Sequence, residues 1–203
     1  MPKGNFLVLR RSDLSPLMAA QTTHQYFDRS GILRTLGAMS AELDTNFARR
    51  VRQRDTACCI TGRTKAACGD DWMTFAAVHI FPPEYIAMWK AEGAGDLVED
   101  DGPGQGEARI DSVQNGLLMQ WTEAVHWELH NITVDVDDDY AIIDFTQSGE
   151  YAGRRLIMDR SVEGKLQPLD ALLQGHYLQS ILANLRGPGK GVPASMTLAE
   201  GQH

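Results

Sequence analysis

The sequence predicts an α+β fold, mainly helical with a small antiparallel sheet, on three observations. Apolar residues recur at three- and four-residue spacing through residues 15–54 and again through 169–185, which is the helical period. Residues 72–81 form an apolar run of strand character that Pro82-Pro83 stops. Residues 133–136 and 140–145 are two further apolar runs separated by an Asp stretch, the pattern of a hairpin.

Each element has a local reason. Residues 6–9 suit a short edge strand. Leu14, Leu17 and Met18 lead a first helical stretch, and Ile32, Leu33, Leu36 and Met39 a second, with Gly31 and Gly37 interrupting. Ser40 with Asp44 marks a new helix start, after which Leu43, Phe47 and Val51 fall four apart. Arg49, Arg50, Arg52 and Arg54 occupy the rest of that helix, as a solvated face or as phosphate contacts. Pro82-Pro83 opens a short helix over 84–92, because proline lacks only an N–H that a first turn leaves unpaired. Residues 93–106, rich in Gly and acid, read as a flexible surface excursion. Asn115-Gly116 reads as a tight turn, with a helix following over 117–129, and 154–158 adds a possible third strand to the hairpin. The last helix stops at Arg186-Gly187-Pro188-Gly189, where glycine takes the left-handed cap and proline cannot continue. The organisation expected is an N-terminal helical region at 1–54, a core with its closing helix at 55–187 and a flexible tail at 188–203, in one compact unit.

Composition narrows the classes. At 203 residues, with 43% hydrophobic and 23% charged, the chain has the make-up of a globular domain with one sizeable core. No apolar run approaches membrane-spanning length, and the start Met1-Pro2-Lys3-Gly4-Asn5 lacks a signal-peptide core. Three cysteines, with Cys58 and Cys59 adjacent, form neither a disulfide framework nor a CxxC zinc pair, so an intracellular, cytoplasmic setting is expected. A formal net charge of −8, from 27 acids against 19 bases, counts against a DNA-binding surface without excluding one, since charge can be patchy.

Two stretches carry the chemistry. Ala76-Ala77-Val78-His79-Ile80-Phe81-Pro82 places one histidine in an apolar run, where both ring nitrogens need partners. Such a histidine is a satisfied core residue or a chemical one. Asp111-Ser112-Val113-Gln114-Asn115-Gly116-Leu117-Leu118-Met119 puts an Asn-Gly ahead of an apolar run. With Cys59-Ile60-Thr61-Gly62 upstream, the order resembles the HNH nuclease superfamily, in the branch common in fungi that reads C-x-[IV]-T-G, A-H-I-F-P, N-G-L-L-L. The resemblance covers about residues 47–186. It implies a ββα core (the His-Me finger) made from 59–61, 73–81 and a helix within 117–129.

The resemblance also implies roles. His79 matches the family's general base and Asn115 the residue that orients it, while a divalent metal, Mg or Zn, stabilises the scissile phosphate. The metal side departs from the pattern. Val78 stands where many members carry a ligand, and the gapless count from Asn115 to the family's helix histidine lands on Ala124; neither has a donor atom. His126 and His130, four apart, would share a helix face and with Glu128 form the alternative ligand set; otherwise they are a partly exposed face. Trp121, Trp127, Phe81 and Met119 are core residues or the wall of a substrate pocket. The expectation is therefore a metal-independent enzyme without cofactor, using His79 as acid/base on a small organic substrate. Cyclisation, condensation or dehydration in fungal biosynthesis would suit it, with a homodimer possible. The alternatives are a metal-dependent DNA endonuclease and a non-catalytic interaction domain.

Overall fold

In the computed structural model, which describes residues 45–68 and 72–185, His79 ends a strand whose partner is not the one expected. In chain order the elements are α1 (Asn46–Arg54), β1 (Phe75–His79), α2 (Ile86–Ala91), β2 (Gly116–Gln120), α3 (Trp121–Glu128), β3 (Ile132–Asp135), β4 (Ala141–Asp144) and α4 (Asp170–Leu185), with 3₁₀ turns between. β1 pairs antiparallel with β2, from Phe75 opposite Gln120 to His79 opposite Gly116. α3 follows directly, so the ββα unit is β1–β2–α3.

That unit corrects two expectations. Residues 59–61 are not a strand; Cys59 makes single links, its N–H to Leu118 O (2.9 Å) and its carbonyl to Ile157 N (2.8 Å). Residues 117–119 are strand rather than helix, and the helix begins only at Trp121. The cause is two-sided burial: Phe75 through Val78 and Gly116 through Met119 are all buried, so neither strand alternates. A short run buried on both faces has no readable period.

Gly116 is also not the left-handed turn residue that Asn-Gly suggests. Its backbone is extended (φ −128°), and a Cβ there would lie 2.7 Å from Val51 Cγ2 and 2.9 Å from Phe47. Close approach of α1 to the hairpin requires the glycine.

α1 starts at Thr45, whose Oγ1 accepts from Ala48 N (3.1 Å). The start at Ser40, the strand at 6–9, the other helices of residues 15–44, the stop at 186–189 and the tail lie outside the described residues. Two arginines of α1 face inward, contrary to both expected readings. Arg54 donates to the carbonyls of Val113 (2.6 Å), Leu166 (3.1 Å) and Gly116 (2.8 Å), and Arg50 to buried Asp100 (2.5 Å). Replacing Arg54 with Ala strips three carbonyls of a charged donor. We expect a loss of about 2–4 kcal/mol, read as a lower urea midpoint at unchanged slope.

The excursion at 93–106 is pinned rather than loose. Asp100 is fully buried and accepts from Arg50, Gly102 N, Ser112 Oγ and Val113 N. Burial works to raise its carboxyl, but Arg50 and these N–H and O–H donors hold it below the usual carboxylate value. Gln114 Oε1 accepts from the Glu99 and Asp100 amides, and the Trp89 indole of α2 donates to Ala108 O (2.8 Å).

The β3–β4 hairpin forms as expected, within a residue or two of each bound. The run at 154–158 adds only an isolated bridge, Ala141 to Arg155, and no strand. α4 packs across β3 and buries Leu172, Leu173, His176 and Ser180.

Candidate functional site

β1 delivers His79 to the end of the hairpin, and α1 covers it. The Phe47 ring lies parallel to the imidazole at 3.8 Å between centroids, 6° from coplanar orientation, which fixes the ring plane. Val78, one residue earlier, points to the opposite face and is buried. His79 Nε2 meets Asp111 Oδ1 at 3.0 Å. The histidine side chain is 10% exposed and the aspartate side chain 34%. With ionised Asp111 accepting, Nε2 carries the proton, and Nδ1, which has no partner among the described residues, keeps its lone pair.

Asn115 acts elsewhere than on the ring. Its Oδ1 accepts from Phe81 N (2.7 Å), and its Nδ2 donates to Phe81 O (3.0 Å) and Ile110 O (2.9 Å). It therefore staples the backbone just after His79 to the backbone just before Asp111, and so sets the pair's spacing through the main chain. The orienting side chain on the imidazole is Asp111. Sequence reasoning does not single Asp111 out; the available signal is a carboxylate four residues ahead of Asn115, in the same motif. The loop that presents Asp111 is strained: Ala108 and Arg109 take positive φ (51° and 64°), and Arg109 is held by the carbonyls of Val98 and Asp100. Asn115→Ala would leave one buried N–H and two buried carbonyls unpaired. About 3 kcal/mol of stability should go with them, and a chemical-denaturation curve measures it.

The helix histidines do not converge. α3 ends at Glu128, and His130 lies beyond it at φ 56°, the left-handed position that closes the helix. It turns toward α4, where Nδ1 meets Ser180 Oγ (2.8 Å) and the ring stacks on His176. His126 stays on α3, with Nδ1 near Asn131 Nδ2 (3.3 Å) and its ring edge-on to Tyr151. Ala124 is fully buried in the core. Among the described residues no three His, Cys, Asp or Glu side chains gather as a metal would need. The expected set of His126, Glu128 and His130 therefore does not fit a metal, because the helix stops two residues too soon to align the histidines.

The expected pocket wall is dispersed. Phe81, Met119 and Trp127 are core residues, and Trp121 is half-buried with its indole on Met73 O. Two surface cavities, of about 320 and 400 Å³, are lined by none of the four.

Residues 58–135 match the family model HNH_2, described as HNH endonuclease. This segment is an HNH-type domain. The match takes in both strands of the hairpin, all of α3 and the candidate pair. No curated protein and no solved structure matches the chain. Within the matched segment Val78 and Ala124, the two positions where the resemblance leads one to expect metal ligands, are buried apolar side chains without donor atoms. No helix among the described residues is long and apolar enough to cross a membrane.

Proposed function

We propose that this HNH domain is a metal-independent acid/base catalyst acting on a small organic molecule, with His79 as the proton carrier. The observation that carries the reading is the His79–Asp111 pair at 3.0 Å beside ligand positions that have no donor atoms. His79 Nδ1 takes a proton from an acidic O–H or C–H of the substrate. The imidazolium that forms is stabilised by Asp111, partly screened because that carboxylate is one-third exposed, and returns the proton in a later step. Phe47 shields one ring face from water and keeps the imidazole from rotating. Ring closures, condensations and dehydrations need only such proton transfers.

The match to an HNH endonuclease model favours a second reading, cleavage of DNA with a divalent metal. Two assays separate them. Purified protein is incubated with supercoiled plasmid and magnesium, with and without chelator. Extracts of cells producing the wild type or His79→Ala are compared by untargeted mass spectrometry. The proposal expects intact plasmid and a small-molecule conversion that needs His79. Chelator-sensitive cleavage lost in His79→Ala would replace it with the endonuclease.

A further inference from the structure

We propose that the cavity at the other end of the hairpin binds a small zwitterion, a molecule carrying an ammonium or guanidinium group and a carboxylate. The cavity, about 320 Å³, opens between the chain after Cys59, the first turn of α3 and residues 150–154, and its walls include Thr61, Arg63, Thr122, Glu123, Glu150 and Arg154. It is separate from His79. Gln120, also in its wall, pairs with Phe75, four residues along β1 from His79, roughly 13 Å at about 3.3 Å per residue.

Glu123 points to a ligand. It is 5% exposed, and its Oε1 accepts from the Tyr151 hydroxyl (3.2 Å). Its Oε2 is buried with no hydrogen-bond partner among the described residues. A buried carboxylate oxygen without a donor is destabilising, and folded proteins rarely leave one so. An N–H of an ammonium or guanidinium group supplies the missing donor.

The rest of the wall specifies the other half of the molecule. Arg63 and Arg154 are exposed at the mouth. Among the described residues the Arg63 guanidinium has no partner, and the Arg154 guanidinium makes only a long contact to Glu150 O (3.4 Å). Two carboxylates and two guanidinium groups give a lining without net charge. That balance disfavours a bare cation, which the arginines repel, and a bare anion, which Glu123 and Glu150 repel. A zwitterion meets both pairs at once, and Thr61 and Thr122 add hydroxyls.

The test uses the full chain and the twenty proteinogenic amino acids, each titrated by calorimetry and by melting temperature, with acetate as an anion control. At least one amino acid should bind saturably and raise the melting temperature. The amine left when that ligand loses its carboxylate should bind at least about tenfold more weakly. Glu123→Gln should weaken binding by about tenfold or more, while the free protein melts no lower because the amide oxygen still accepts from Tyr151. Arg63→Ala, an exposed substitution, should weaken the amino acid but not its amine. The proposal is overturned if no amino acid binds, if acetate binds as tightly, or if Arg63→Ala and Glu123→Gln both leave the affinity unchanged.

Discussion

His79→Ala is expected to lower turnover of the small-molecule substrate by about 10²–10⁴-fold, or roughly 3–5 kcal/mol of barrier, because the proton carrier is gone. Asp111→Ala keeps the imidazole but frees its Nε2, so kcat should fall by a smaller factor, about tenfold, at similar KM. A readout independent of the substrate distinguishes positioning from mere packing. In wild type, long-range ¹H–¹⁵N spectra at neutral pH should show His79 as the Nε2–H tautomer, and Asp111→Ala should give a mixture. His126→Ala, away from the pair, should retain activity. Equal loss of turnover in folded His79→Ala and His126→Ala would show that α3 takes part in the chemistry, and the assignment would fail.

Acid should unfold the protein through α4 before its carboxylates titrate fully. His176 stacks face to face on Trp127 at 3.6 Å, and His130 stacks on His176 at 4.6 Å. The hydrogen bonds assign neutral tautomers. His176 Nε2 donates to Trp127 O (3.3 Å) and its Nδ1 accepts from Thr133 Oγ1 (2.9 Å). Ser180 Oγ donates to His176 O, so His130 Nδ1 donates to Ser180 Oγ. Burial pushes His130 down to about 4, and burial with the nearby His130 pushes His176 well down as well. The unfolded chain, with ordinary histidines near 6.5, therefore binds more protons in this interval. Stability is complete above about pH 6.5 and falls as pH drops toward about 4. His130 alone contributes on the order of 3 kcal/mol across that window. Urea midpoints measured from pH 7 to pH 4 should fall steeply, and less so in His130→Gln. An unchanged slope in that variant would mean that other groups carry the acid sensitivity.

How much was legible depended on whether a signal was local. His79 at a strand end, the β3–β4 hairpin and the closing helix all follow from neighbouring residues, because a proline stop, an Asp stretch and a 3.6-residue period act within a few positions. β2 was illegible for the opposite reason. Leu117, Leu118 and Met119 are all buried, so the alternation that marks a strand is missing. His126 and His130 looked aligned only on the assumption that the helix continued, and the left-handed His130 ends it.

By itself the sequence determined the ββα-bearing α+β class, the histidine at the end of an apolar strand and the absence of donor atoms at Val78 and Ala124, since side-chain chemistry at a given register needs no coordinates. Only the tertiary structure decided that Asp111 rather than Asn115 holds the imidazole. It also turned Arg50 and Arg54 into internal clamps, and left one oxygen of Glu123, a residue of a cavity wall, without a donor among the described residues. Each of these joins segments far apart in the chain. Hydrogen-bond partners at such separations are set by how the elements pack, and no local pattern of residues records them.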